Sequence, residues 1–183
     1  MERLLTEFRD QPVTPQAVAA IARAQCILDP AVSEAMAQRL TGMYPANESV
    51  ASVWRELALS AHRQKKPELE AERLKVLAEV FPRSEARVET LATLAWMAYQ
   101  ESGLGAVRPT LAELNRQFPN SAVIARVHVW IALDQMRKNG YEKSAGLVEE
   151  VIRAFGQTEE GKLLADYVAR YKAQATQPDA GGR

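Results

Sequence analysis

Apolar side chains recur at helical spacing along this chain, and the pattern itself returns every 37 residues. Leu57, Leu94, Ile131 and Val168 hold one position of the period, each followed by an alanine: Ala58, Ala95, Ala132 and Ala169. A large residue beside a small one suits close helix crossing, because the alanine lets a neighbouring backbone approach. Leu74, Leu111 and Val148 share a second position, and Leu77, Leu114 and Val151 follow three residues later. Spacing of that kind marks the buried stripe of a second helix. Runs of β-branched residues alternating with polar ones are absent, so the pattern predicts helix throughout.

Punctuation keeps the same period. Tyr44-Pro45, Phe81-Pro82, Phe118-Pro119 and Phe155-Gly156 stand in register, and three residues after each aromatic come Asn47, Ser84, Ser121 and Thr158. Each of those four side chains can accept a hydrogen bond from an orphan backbone N–H, as a helix N-cap does. Proline forces extended backbone on the residue before it, which ends the preceding helix. Within each unit lies a breaker: Lys66-Pro67, Ser102-Gly103-Leu104-Gly105 and Asn139-Gly140-Tyr141. Glycine and Asn-Gly stop helices through left-handed backbone. Each unit is therefore expected to be a helical hairpin.

These signals predict first helices over 47–64, 84–101 and 121–138, and second helices over 68–80, 105–117 and 142–155. A final unpaired helix runs from Thr158 to about Tyr171. Upstream, Thr14 caps a helix over roughly 15–28, and Asp29-Pro30 caps another that ends near Gly42, with proline at its first position. Residues 1–9 are expected to add a capping turn, and 174–183 to form a disordered tail. The whole reads as a single helical repeat domain over 1–173, with units at about 10–43, 44–80, 81–117 and 118–154 and a cap at 155–173.

Composition narrows the function. Basic and acidic residues number 23 each among 183. A neutral chain lacks the electrostatic footprint of tight binding to nucleic acid or an anionic membrane. No segment reaches the length of a membrane span. Cys26 is the single cysteine, which excludes an intrachain disulfide and a cysteine metal cluster; its Ala-Gln-Cys-Ile-Leu setting reads as core packing. The charged start, Met1-Glu2-Arg3, is unlike a signal peptide. The chain as given reads as cytoplasmic; as a piece of an exported precursor it would be periplasmic or envelope-associated.

At this point the residues resemble the tetratricopeptide repeat family. Trp54, Leu57 and Ala58 fall on the first places of its unit, as do Leu91, Leu94, Ala95 and then His128, Ile131, Ala132. Asn139-Gly140-Tyr141-Glu142-Lys143-Ser144-Ala145 looks like the interhelix turn, and Pro82 and Pro119 like the terminal proline. The period is longer than the family's, alanine stands where glycine is usual, and the interhelix tyrosine occurs once. Units of this longer kind are similar to those of bacterial envelope proteins of the Tol-Pal-associated and outer-membrane-assembly type. The resemblance implies an all-α fold, a right-handed α-solenoid of about four antiparallel hairpins plus a C-terminal capping helix. It also implies a protein-interaction scaffold or assembly factor whose first helices line a groove for a partner peptide or helix.

Carried onto this chain, that geometry assigns Ser52, Arg55, Leu59, His62 and Arg63 to the groove. It adds Glu89, Ala92, Trp96, Tyr99 and Gln100, then Arg126, Val129, Leu133, Met136 and Arg137. Trp96, Tyr99, Leu133 and Met136 would form an apolar floor between basic edges at Arg55, Arg63, Arg126 and Arg137. Such a floor suits the apolar face of a helix, or an extended peptide, with acidic flanks. An aromatic at helical spacing also fits packing between hairpins, so Trp96 and Tyr99 stand between two readings.

Catalysis finds little support. His128 sits where the family packs an aromatic, and His62 has no nucleophile beside it in a recognisable motif. No phosphate loop or metal-binding spacing occurs, so neither cofactor nor metal is expected. Two alternatives to the scaffold remain: a homo-oligomerising structural module, and a helical accessory domain of a larger envelope or secretion protein.

Overall fold

A computed structural model of the chain describes Thr6, Glu7, Gln11 and residues 14–175. The expected capping turn over 1–9 lies outside these residues except for Thr6 and Glu7. Of the expected tail, 176–183 lie outside them. The described residues form an all-α protein with no strand and eight helices of at least 13 residues. In chain order they are α1 (Thr14–Leu28), α2 (Pro30–Met43), α3 (Glu48–Arg63), α4 (Pro67–Glu79), α5 (Glu85–Gln117), α6 (Ala122–Asn139), α7 (Tyr141–Phe155) and α8 (Glu159–Ala175). Helix α8 runs past Tyr171 because Lys-Ala-Gln-Ala contains no breaker.

The caps and turns explain where these helices start. Asp29 accepts from the N–H groups of Ala31 and Val32 at 3.1 and 3.2 Å, and Pro30 needs no donor at the first helical position. Four later junctions repeat one device. The N–H of Asn47, Ser84, Ser121 or Thr158 donates back to the carbonyl of the aromatic three residues earlier, at 3.3, 3.1, 3.2 and 2.8 Å. The same four side chains then accept from the first turn of the next helix: from Ser49 at 3.0 Å, Arg87 at 3.1 Å, Ile124 at 3.5 Å and Gly161 at 3.1 Å. Glu48 adds a second cap, accepting from the N–H of Ala86 at 2.7 Å and of Glu85 at 3.2 Å.

Left-handed backbone marks the breaks within hairpins. Gly103 and Gly140, one period apart, share φ near +80° with extended ψ. Gly103 divides α5, whose second half is Leu104–Gln117, and Gly140 separates α6 from α7. Between α3 and α4 the left-handed residue is Lys65, and the next N–H, of Lys66, reaches back to the Ala61 carbonyl at 3.0 Å. That six-to-one bond closes the helix end as a Schellman motif.

Contacts group the chain into two compact units, residues 1–91 and 92–183, with the division inside α5. In the first unit α1 packs on α2 and α3 on α4, and α3 also packs on α1 and α2. Its core is built from Val18, Leu40, Trp54, Leu57, Leu77 and Phe81, all buried. The Trp54 indole N–H donates to the Thr41 hydroxyl at 2.9 Å, so its one polar group is satisfied. Arg73 of α4 is buried and donates to the Leu57 carbonyl of α3 and to Glu34 of α2, both at 2.7 Å. One guanidinium therefore ties three helices together.

In the second unit α6 packs on α7, and α8 packs on both. Ala125, Val129, Ala132, Met136, Val148, Val151, Phe155, Leu164 and Val168 form its core. The recurring apolar positions are buried in both units except Leu74 and Leu94, which are half-buried. Ala169 departs from its counterparts and is exposed, since no further helix follows α8 among the described residues. No helix among the described residues is long and apolar enough to cross a membrane.

Candidate functional site

The second unit carries an apolar surface of an unusual kind. On α6, residues 126, 130, 133 and 137 are spaced to share one face, as are residues 160, 163, 164 and 167 on α8. The two faces meet in a groove of about 630 Å³ lined by Arg126, Trp130, Leu133, Arg137, Glu160, Leu163 and Tyr167, with Val129 and Leu164 at its base. A pocket of about 470 Å³ shares Trp130, Leu133 and Arg137 and extends over Trp96 of α5. Trp130 is 45% exposed, Leu163 67% and Tyr167 52%. Scattered exposed apolar residues are ordinary, but contiguous large ones rimmed by charge mark interaction surfaces.

Packing beneath the groove fixes its aromatics. The Trp96 ring lies 5.7 Å from that of Trp130, edge to face, and 5.3 Å from that of Tyr99. Edge-to-face pairs at this distance gain from the ring quadrupoles beyond their buried area. Tyr99 is buried and donates to Asp134 at 2.6 Å, while Gln135 donates to the Tyr99 oxygen at 2.8 Å. Asp134, itself buried, also receives Arg137 at 2.9 Å and Lys138 at 2.7 Å. Burial alone would raise its carboxyl, but hydrogen bonds from Lys138, Tyr99 and Arg137 outweigh this and hold it at about 2. Burial, and then the Asp134 carboxylate, push the Tyr99 phenol upward.

Charge at the rim is uneven. Arg126 meets Glu160 at 3.5 Å, a single pair of opposite charges. Arg137, its side chain 79% exposed, shares the Asp134 carboxylate with Lys138, so that end of the groove carries more positive than negative charge.

The residues expected to form a groove are distributed unevenly. Trp96, Leu133, Arg126 and Arg137 come together in the second unit. Tyr99 and Met136, expected on the floor, are instead in the core, at 2% and 7% exposure. Tyr99 is drawn inward by its bond to Asp134, and Met136 packs with Val129 and Ala132. Ala92 and Val129 are buried as well, and Gln100 is exposed. Within the first unit Arg55 pairs with Glu56 and with Glu89, the latter at 3.3 Å, and Leu59 is buried. Ser52 donates to the Ser49 carbonyl at 2.6 Å. Arg63 is exposed beside Arg23, Ile27, Glu56 and Ser60, in a pocket of about 530 Å³.

Trp130, Leu163 and Tyr167 are the residues that sequence reasoning missed. A signal existed: Trp130 and Tyr167 are one period apart, so two aromatics share a register. The histidines take structural partners. His62 lies 3.0 Å from Glu70, and the His128 ring stacks 4.9 Å from Phe155. Burial pushes His128 down, against an opposite pull from Glu150. Cys26 is buried, and burial raises its thiol. Among the described residues no group of three or more His, Cys, Asp or Glu is placed to hold a metal ion. No family model, curated protein or solved structure matches the chain.

Proposed function

We propose that the chain is a protein-interaction module built from tetratricopeptide-like solenoid hairpins, and that the α6–α8 groove receives a partner helix. The observation that carries this is the cluster of Trp130, Leu163 and Tyr167, each exposed by 45% or more, beside half-buried Trp96 and Leu133. Full burial of a large apolar side chain is worth about 1.5–3 kcal/mol, so a partner covering these half-exposed ones would recover about half of that apiece. The partner is an amphipathic helix with apolar residues at positions i, i+3 or i+4, and i+7. It carries an acidic residue at the end that meets Arg137, where the rim is electropositive.

The repeat supports the solenoid reading. In each unit the helix that follows a hairpin packs on both helices of that hairpin: α3 on α1 and α2, and α8 on α6 and α7. Stacking of that sort exposes first-helix faces as binding surfaces.

A displayed library of random helical peptides, selected on the purified chain, tests the proposal. Enriched peptides should carry the apolar spacing with an acidic flank. They should bind a Trp130→Ala, Tyr167→Ala double variant about tenfold or more weakly, as loss of two aromatic anchors predicts. Enrichment of peptides that bind both proteins equally would place recognition elsewhere.

A further inference from the structure

Helix α8 carries the groove residues Leu163 and Tyr167 on a longer apolar ridge. Leu163, Tyr167 and Tyr171 follow one another at four-residue spacing and are 67%, 52% and 42% exposed. Together they make a ridge of about 12 Å along the helix. Asp166 and Arg170 flank this ridge on one side, because each lies within about 100° of Tyr167 around the helix in the same direction. Both are exposed, and neither makes an ion pair among the described residues.

We propose that α8 pairs with α8 of a second copy of this chain, antiparallel about a two-fold axis near Tyr167. The inference goes beyond the partner-helix reading and stands without it, but the two share Leu163 and Tyr167, so a second copy and a partner helix would compete for this face.

The ridge is self-complementary in that arrangement and in no parallel one. An antiparallel two-fold sets Leu163 against Tyr171 of the second copy, Tyr167 against Tyr167, and Tyr171 against Leu163. The axis, normal to the plane of the two helices, keeps residues above that plane on the same side in both copies. Asp166 of each copy therefore lies on the same side as Arg170 of the other, offset by about 3 Å along the axis, giving two reciprocal ion pairs against one Asp166–Asp166 repulsion at the same offset. A parallel two-fold would put these residues of the two copies on opposite sides of the helix pair, where no such ion pairs form. Isologous contacts of this kind close after two copies and leave no open end. The contact is short, which places it at the small, transient end of the range of protein interfaces.

Sedimentation velocity across loading concentrations from about 10 μM to about 1 mM reads the pairing directly. The mass should rise toward that of a dimer over this range. Asp166→Arg alone and Arg170→Asp alone each create two like-charge contacts and should weaken the dimer about tenfold or more. Combining the two substitutions exchanges the partners and should restore the association of the unmodified chain. Circular dichroism of all four proteins checks that helicity is kept, and both substituted residues lie outside the groove lining. If helicity falls in a single variant, Tyr167→Cys in a Cys26→Ser background decides instead. Its thiols lie at the two-fold and should form an intermolecular disulfide on oxidation. A strict monomer at the highest concentration would overturn the proposal. So would single variants that associate like the unmodified chain, a double variant that fails to recover, or a Tyr167→Cys variant that stays uncrosslinked.

Discussion

At the scale of single residues, the turns between hairpins hold strain of a specific kind. Ala46 and Asn120 occupy the same position of two aromatic-Pro-x-cap turns, with φ of +63° and +66°. Left-handed backbone costs an L-residue about 1–2 kcal/mol, and asparagine tolerates it better than alanine. Ala46→Gly should therefore raise stability by about 1 kcal/mol, read as a shift in the urea midpoint, whereas Asn120→Gly should change it much less. Equal effects at both positions would mean that the turn, not its residue, sets the energy. Asp134 offers a second test. Its folded value of about 2 lies below the ordinary carboxylate value of about 3.9. The resulting stability, of the order of 2 kcal/mol, is present above pH about 4 and is lost as pH falls through about 2. Asp134→Asn should remove this acid limb from a stability–pH profile, and an unchanged slope below pH about 4 would assign the acid sensitivity to other carboxylates.

Helices and their junctions were the most legible part of the chain. The 37-residue register gave the boundaries of α3, α4, α6 and α7 to within a few residues, since caps, prolines and glycines act through local backbone chemistry. Which face of a helix meets solvent was less legible. Sequence reasoning put Val129 on the groove and passed over Trp130, yet neighbours on a helix point about 100° apart. Val129 lies at the groove's base and is largely buried in the core, whereas Trp130 stands 45% exposed in the groove. Tyr99 was misplaced because its inward pull comes from Asp134, 35 residues away, which no local pattern reveals. The same holds for Arg73, whose partners Leu57 and Glu34 lie on two other helices. Glu34 keeps 25% of its side chain exposed, whereas Arg73 keeps 5%. Removing Glu34 strands a buried cation that water cannot reach, while removing Arg73 leaves a carboxylate that water can. Glu34→Ala should cost about 3 kcal/mol and Arg73→Met less, by denaturant unfolding; the reverse order would contradict this account of the junction.

Across the whole molecule, charge neutrality and repeated hairpins direct attention to surfaces rather than to reactive groups. Two compact units share one type of helix packing, but among the described residues it is the second that exposes large aromatic side chains beside a partly unbalanced basic rim. The distribution of tryptophan makes this testable in one spectrum. Of the chain's three tryptophans, Trp96 and Trp130 line the groove region, while Trp54 is buried in the first unit with its N–H on Thr41. An isotope-labelled chain titrated with a peptide selected on it gives three indole N–H signals to follow. The account predicts that the Trp96 and Trp130 signals move with increasing peptide while that of Trp54 stays in place. Saturable peptide binding that leaves Trp96 and Trp130 unmoved would contradict it.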